Sequence, residues 1–244
     1  MTTTFRQFVA ESINDAGIFK AIFLAGIPGA GKSYAVTKLK GRIAPRVVNT
    51  DRASEFLAKR LGRQVTPADW DLIFKDRVHQ LTKAALFNYL NGMLPLFIDG
   101  TSNDAANLLH RVGILESIGY DVGMVYLNTP LEVAKERVRR RASAIGREVS
   151  PEFIERVYTT LPEHVAFYRN KFQFFLELSG TAELNDAALQ QAFEETNAFF
   201  SAPVRNPLGR STMERLRAAG KRYLIPTIMS GEALEKKLAG WYHK

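Results

Sequence analysis

At 244 residues, 46% of them hydrophobic, the chain is long enough to bury one full α/β core. It has no cysteine, which excludes a disulfide framework, a thiolate metal site and a cysteine nucleophile, and it has no run of about 20 apolar residues that would cross a membrane. The net charge of +8 suits an anionic partner and is unevenly placed: from Arg205 to Lys244 nine Lys/Arg stand against three acids, so +6 of the total lies there.

The N-terminus, MTTTFRQFVAESINDAG, lacks the basic-then-apolar order of a secretion signal, so a cytoplasmic protein is expected. Residues 1–18 are expected to form an N-terminal helix ahead of a main domain over 19–200. That domain opens with KAIFLAG (20–26), an apolar run with the length of a buried strand. It leads without a gap into Gly26-Ile27-Pro28-Gly29-Ala30-Gly31-Lys32-Ser33, followed by Tyr34, which satisfies G-x-x-x-x-G-K-[ST] between a strand and a helix. The spacing has a physical basis. Glycines let backbone N–H groups converge on phosphate oxygens, the helix opening at Lys32 adds its positive end, Lys32 can reach the β and γ phosphates, and the Ser33 hydroxyl can bind magnesium. ATP with Mg²⁺ is the expected ligand, held by residues 26–34.

The next apolar run, RVVNTD (46–51), is expected to be a strand with Asp51 at its carboxyl end. Strand ends of an open α/β sheet converge on the ligand crevice, so Asp51 is a candidate general base toward an acceptor hydroxyl. It can equally cap the following helix, RASEFLAKRL. Thr66, Pro67 and Asp69 then carry helix-start signals, and the helix runs to a stop at Asn91-Gly92, framing a wall of an acceptor cleft. LPLFIDG (94–100) is the third strand and ends on Asp99, a candidate magnesium ligand alongside Ser33 or else a group that positions the acceptor, with Thr101 and Asn103 near the same crevice.

The fourth strand, DVGMVYLN (121–128), is followed by TPLEVAKERVRRRASAIGREVS. Arg137 and Arg141 are four residues apart and share one helix face, so both can turn toward phosphates while Arg139 and Arg140 face elsewhere. Two guanidiniums on one side suit neutralisation of the charge on a phosphoryl group in transfer. FQFFLEL (172–178) is a fifth strand, and SGTAELNDAALQQAFEETNAFF reads as a helix. SAPVRNPLGRS reads as a linker because Pro203, Pro207 and Gly209 break any periodicity, and a basic helical extension over 201–244 follows. Its Tyr223, Trp241 and Tyr242 either stack on bases or dock on the sheet. Trp70 and the aromatics of FYRNKFQFF read as core, and the four histidines show no common motif and carry no assigned chemistry.

These elements describe an α/β three-layer sandwich with a mostly parallel sheet and a small basic C-terminal helical appendage. With GIPGAGKS, VNTD, FIDGTSND and TPLEVAKERVRRR in place, the chain over about residues 20–165 resembles the polynucleotide-kinase and zeta-toxin branch of P-loop kinases. The resemblance implies Asp51 as general base, Lys32 and Ser33 as nucleotide and magnesium residues, and Arg137 and Arg141 as lid arginines. Those kinases carry an arginine three residues after the base. Here that position is Ser54, and Arg52 is adjacent instead. The implied activity is ATP-dependent phosphorylation of a hydroxyl on nucleic acid, DNA ahead of RNA. The acceptor is either a 5′-hydroxyl end or the hydroxymethyl group of 5-hydroxymethyluracil, as in the small bacteriophage kinases that hypermodify thymidine. A small-molecule kinase acting on a nucleotide or nucleotide sugar, and a non-enzymatic nucleotide-dependent nucleic-acid-binding switch, are the alternatives.

Overall fold

The computed structural model describes residues 13–61, 75–145, 149–180, 186–220, 231–239 and 241. Five strands, β1 (Lys20–Ala25), β2 (Arg46–Val48), β3 (Leu96–Ile98), β4 (Asp121–Asn128) and β5 (Phe174–Ser179), form one sheet in the order β2-β3-β1-β4-β5. Every pairing is parallel, with Ala21 opposite Leu96 on one side of β1 and opposite Val122 on the other. The helices between them are α1 (Lys32–Leu39), α2 (Thr50–Leu61), α3 (Lys75–Asn91), α4 (Ala105–Glu116), α5 (Leu131–Ile145), α6 (Pro151–Lys171) and α7 (Asp186–Ser201). Two more follow, α8 (Pro207–Ala218) and α9 (Gly231–Leu238).

The central strand β1 is buried along its whole length, which is why its sequence is an unbroken apolar run after Lys20. Edge strand β5 alternates, with Leu176 and Leu178 inward and Glu177 outward. Helices cover the sheet as a three-layer α/β sandwich, with α1 packed on α7, α5 on α6 and α9 on α3. Among the described residues no helix is long and apolar enough to cross a membrane.

Several sequence expectations are corrected. The second strand stops at Val48, because Asn49 turns out of the sheet to start α2, so Asp51 lies in the first turn of a helix instead of at the strand end. The third strand is also shorter, Leu96–Ile98. Residues 13–19 form turns, and the rest of the expected N-terminal helix lies outside the described residues. So do Thr66, Pro67, Asp69, Trp70, Tyr223 and Tyr242. The expected linker is mostly helix: Pro207 occupies the first turn of α8, where its missing N–H costs nothing, and Asn206 caps it by accepting from the N–H groups of Leu208 and Gly209. Gly209 is there for close approach, since a Cβ would stand 2.3 Å from the Gly119 carbonyl oxygen.

At the amino edge of the sheet, Lys20 is 2% exposed and donates to the Asp121 carboxylate at 2.7 Å and to the Pro203 carbonyl at 3.1 Å. Asp121 also accepts from the backbone N–H groups of Arg205 and Asn206. One carboxylate thus joins β1, β4 and the chain entering α8. Removing it leaves a buried ammonium without its counter-ion, so Asp121→Ala is expected to lower the unfolding free energy by about 3–5 kcal/mol in a denaturant titration.

Candidate functional site

The carboxyl ends of β1, β2, β3 and β4 border a cleft of about 630 Å³ lined by the glycine-rich loop, the start of α2, the turn after β3, and α5. The loop is shaped by three glycines at positive φ, Gly26 (149°), Gly29 (82°) and Gly31 (95°). Gly29 presses its backbone on α5: a Cβ there would meet the Ala134 carbonyl oxygen at 2.3 Å. The loop is further pinned by the Thr129 hydroxyl, which donates to the Ala30 carbonyl at 3.1 Å, and by the Gly26 N–H, which donates to the Thr101 carbonyl at 3.2 Å. Ile27 faces the core and Gly26 lies against the Leu127 carbonyl, so these two shape the loop, while residues 28–34 line the cleft.

Lys32 donates to the carbonyls of Gly26 (2.8 Å) and Ile27 (3.1 Å), which curls its ammonium back over the loop. Burial pulls its pKa below the ordinary lysine value, while the charges of Asp99 and Asp51 push the other way and Arg141 adds to the lowering. Both acids are therefore close enough to act on Lys32. They are tied together by Asn49, whose amide donates to Asp99 at 2.8 Å and whose carbonyl oxygen accepts the Asp51 N–H at 2.6 Å. Asn49, not Asp51, is the residue that caps α2.

On the facing wall, Arg141 approaches the Asp51 carboxylate at 3.4 Å, and Arg137 lies 3.3 Å from the Ala30 carbonyl and 3.5 Å from that of Gly29. Arg139 and Arg140 point to solvent beside Glu136. Ser33 and Tyr34 are exposed at the cleft, and Val149 and Phe153 close its outer side. Lys32, Ser33, Asp51, Asp99, Arg137 and Arg141 thus converge. The residues missed from sequence are Asn49 and Thr129, though Asn immediately before a helix is a recognisable cap signal.

A second, smaller cavity of about 300 Å³ shares Thr50, Asp99, Gly100 and Thr101 with the cleft and descends between α3 and α4 to Trp241. The turn that walls it is held by Ser102, whose hydroxyl donates to the Leu24 carbonyl, and by the Tyr168 hydroxyl, which donates to the Ser102 carbonyl. Burial, and then Asp104, keep the Tyr168 phenol protonated far above its usual range, so it stays a donor. His79 lines this cavity, with burial, then Lys75, shifting its pKa down toward the neutral imidazole.

A family model described as zeta toxin matches residues 12–178. The chain belongs to the zeta toxin family. The match runs from the turns before β1 into β5 and leaves α7, α8 and α9 outside it. Among solved structures, a candidate kinase from Chloroflexus aurantiacus is 14% identical at TM-score 0.52, covering 73% of this chain and 98% of that one. A chain of the Pnkp1/Rnl/Hen1 RNA repair complex is 22% identical at TM-score 0.48, covering 66% of this chain and about half, 48%, of its own length. A gluconokinase from Sinorhizobium meliloti is 16% identical at TM-score 0.43, covering 83% of this chain and 98% of that one. No curated protein matches. Family and fold together support a P-loop phosphotransferase that uses a nucleotide.

The residues fit a nucleotide with magnesium. The three-glycine loop leaves its amides no side chain to meet, and one hydroxyl (Ser33) with one carboxylate (Asp99) is the sparse oxygen set that magnesium uses when phosphates complete its shell. Gly29→Ala is expected to weaken ATP binding by about tenfold or more, because both the positive φ and the Ala134 contact resist a methyl group; calorimetry measures it. Asp99 raises the Lys32 pKa, so Asp99→Asn lowers it and the ammonium is lost at lower pH. ATP binding measured without divalent cation should therefore lose its alkaline limb at lower pH than wild type.

Proposed function

We propose that the protein is an ATP- and magnesium-dependent kinase that phosphorylates a hydroxyl on nucleic acid, with the hydroxymethyl group of a modified pyrimidine such as 5-hydroxymethyluracil in DNA as the favoured acceptor and a 5′-hydroxyl end as the other form. The observation that carries the kinase reading is that Asp51 lines the larger cleft, next in sequence to Thr50, which borders both cavities. Its carboxylate is near Lys32 and Arg141, and its neighbour Thr50 lines both spaces.

In this reading Asp51 takes the acceptor proton while the acceptor oxygen bonds to the γ-phosphorus and the bond to the bridging oxygen breaks, releasing ADP. Lys32 and the loop amides hold the phosphates. Ser33 and Asp99 would hold magnesium, which when bound offsets negative charge on the phosphates. Arg137 and Arg141 rest on carbonyls and on Asp51, contacts of 3.3–3.5 Å that are long enough to exchange for phosphoryl oxygens.

The smaller cavity lies at the low end of ligand-site volumes and admits one compact group, as an extruded base would require. A small-molecule acceptor is favoured by a different observation. Three cations of the basic extension sit at the far edge of the sheet: Arg205 on Gln173, Arg217 on Asn14 and Lys237 on Ser117. They are thus turned away from the phosphate loop.

The test is transfer of labelled γ-phosphate, with Lys32→Ala as blank, to 5′-hydroxyl oligonucleotides, DNA bearing 5-hydroxymethyluracil, nucleosides and a nucleotide sugar. Label in DNA supports the leading reading, and label only in a soluble acceptor replaces it. Asp51→Asn should cut turnover by roughly 10²- to 10⁴-fold with ATP affinity retained. Undiminished function in that variant would instead support a non-enzymatic nucleotide switch.

A further inference from the structure

We infer that the C-terminal segment, outside the part of the chain that the family model matches, is a built component of the acceptor site: Trp241 floors the smaller cavity and fixes Arg111 in its wall, fitting it to a flat heterocycle with a hydrogen-bonding edge. The inference rests on the kinase reading for the identity of the cavity as the acceptor site, and on the geometry below for the role of the segment.

Trp241 is 1% exposed and held in three ways. Its ring stacks on Phe23 of β1 at 6.4 Å, the Arg111 guanidinium lies over it at 5.5 Å, and its carbonyl accepts from Arg111 Nε at 2.8 Å. The helix that delivers it is docked as firmly: Leu234 and Leu238, four residues apart, are each 1% exposed, and Lys237 donates to the Ser117 hydroxyl just after α4. A solvated basic tail would show none of this. The segment crosses the far end of α4 and inserts its tryptophan beneath the cavity.

The lining has two characters. On the sheet side Phe23 and Ile98 join Trp241 as an apolar surface; Asp104, Asn107 and Arg111 stand at i, i+3 and i+7 on one face of α4 and its cap, and α3 adds His79 and Thr82. An apolar face opposite a row of amide, carboxylate and guanidinium groups suits a planar ring that stacks on one side and hydrogen-bonds at its edge. Because Trp241 sets the depth and Arg111 ends the polar row, these two residues decide which ring fits with its hydroxyl left at the mouth, beside Asp99 and Thr50.

The experiment uses the full chain with Trp70→Phe, which leaves Trp241 as the one tryptophan, since the chain contains two. Its emission is followed during titration with an oligonucleotide containing 5-hydroxymethyluracil and with the free nucleoside, with ATP alone as control. Kinetics are measured for Arg111→Met and for the conservative Trp241→Phe, with thermal melts showing that both are folded. A saturable emission change on acceptor but not on ATP is expected. Arg111→Met should raise the acceptor KM by about tenfold or more with a smaller change in kcat, and Trp241→Phe should retain most of the wild-type acceptor affinity. Unchanged acceptor KM in Arg111→Met, together with unchanged emission, would overturn the inference while wild-type label transfer left the kinase reading intact. Saturable emission without transfer to any acceptor would support the binding role of the segment and sink the kinase reading alone.

Discussion

Parallel pairing of β3 with β1 on one side and with β2 on the other brings three strand ends to a single edge, and the chemistry of the cleft depends on that edge. The phosphate loop leaves β1, Asn49 leaves β2 and Asp99 leaves β3, all within side-chain reach. Two carboxylates brought together beside a buried lysine would be unfavourable singly. Together they offset part of the desolvation of Lys32, and Asn49 joins the two residues through the Asp99 carboxylate and the Asp51 backbone N–H. Each group is tolerable only because the others are present, so the arrangement is cooperative rather than a sum of pairs.

The same logic operates at the opposite edge with the charges reversed in number. There one carboxylate, Asp121, serves Lys20 and two backbone amides. The pair stabilises nothing cheaply, since both groups lose water, but it registers the last strands against the first and directs the chain toward α8. The C-terminal helices therefore leave from a defined point and return along α4 to Phe23, which makes them part of the core and not an appendage in the mechanical sense.

Much of this was legible in the chain before any coordinates. The loop was readable because its eight residues are contiguous and each has a local duty. Arg137 and Arg141 were readable because helical periodicity alone puts them on one face, and the parallel sheet because fully buried strands are unbroken apolar runs. What escaped was decided at long range. Lys20 finds Asp121 a hundred and one residues away, and Arg111 finds Trp241 at a hundred and thirty, separations that no local pattern encodes. Asn49, given no role by the sequence, took the cap that Asp51 could have supplied, because the strand yields to the helix cap three residues early, a contest between sheet and cap that propensity does not settle. Pro207 and Gly209 read as breakers, but one starts a helix and the other permits a backbone contact with Gly119.

Gly29 carries a consequence for how the cleft can move. With its backbone against the Ala134 carbonyl and the Val138 side chain beside it, the seam between the phosphate loop and α5 has no room to close further, so the loop and that turn of the helix hold each other at a fixed distance. Further along the same helix Arg141 reaches Asp51 through a long, half-exposed contact, which gives way more easily. The helix is thus held tightly at one turn and loosely two turns further on, so its two cleft arginines stand on supports of different stiffness.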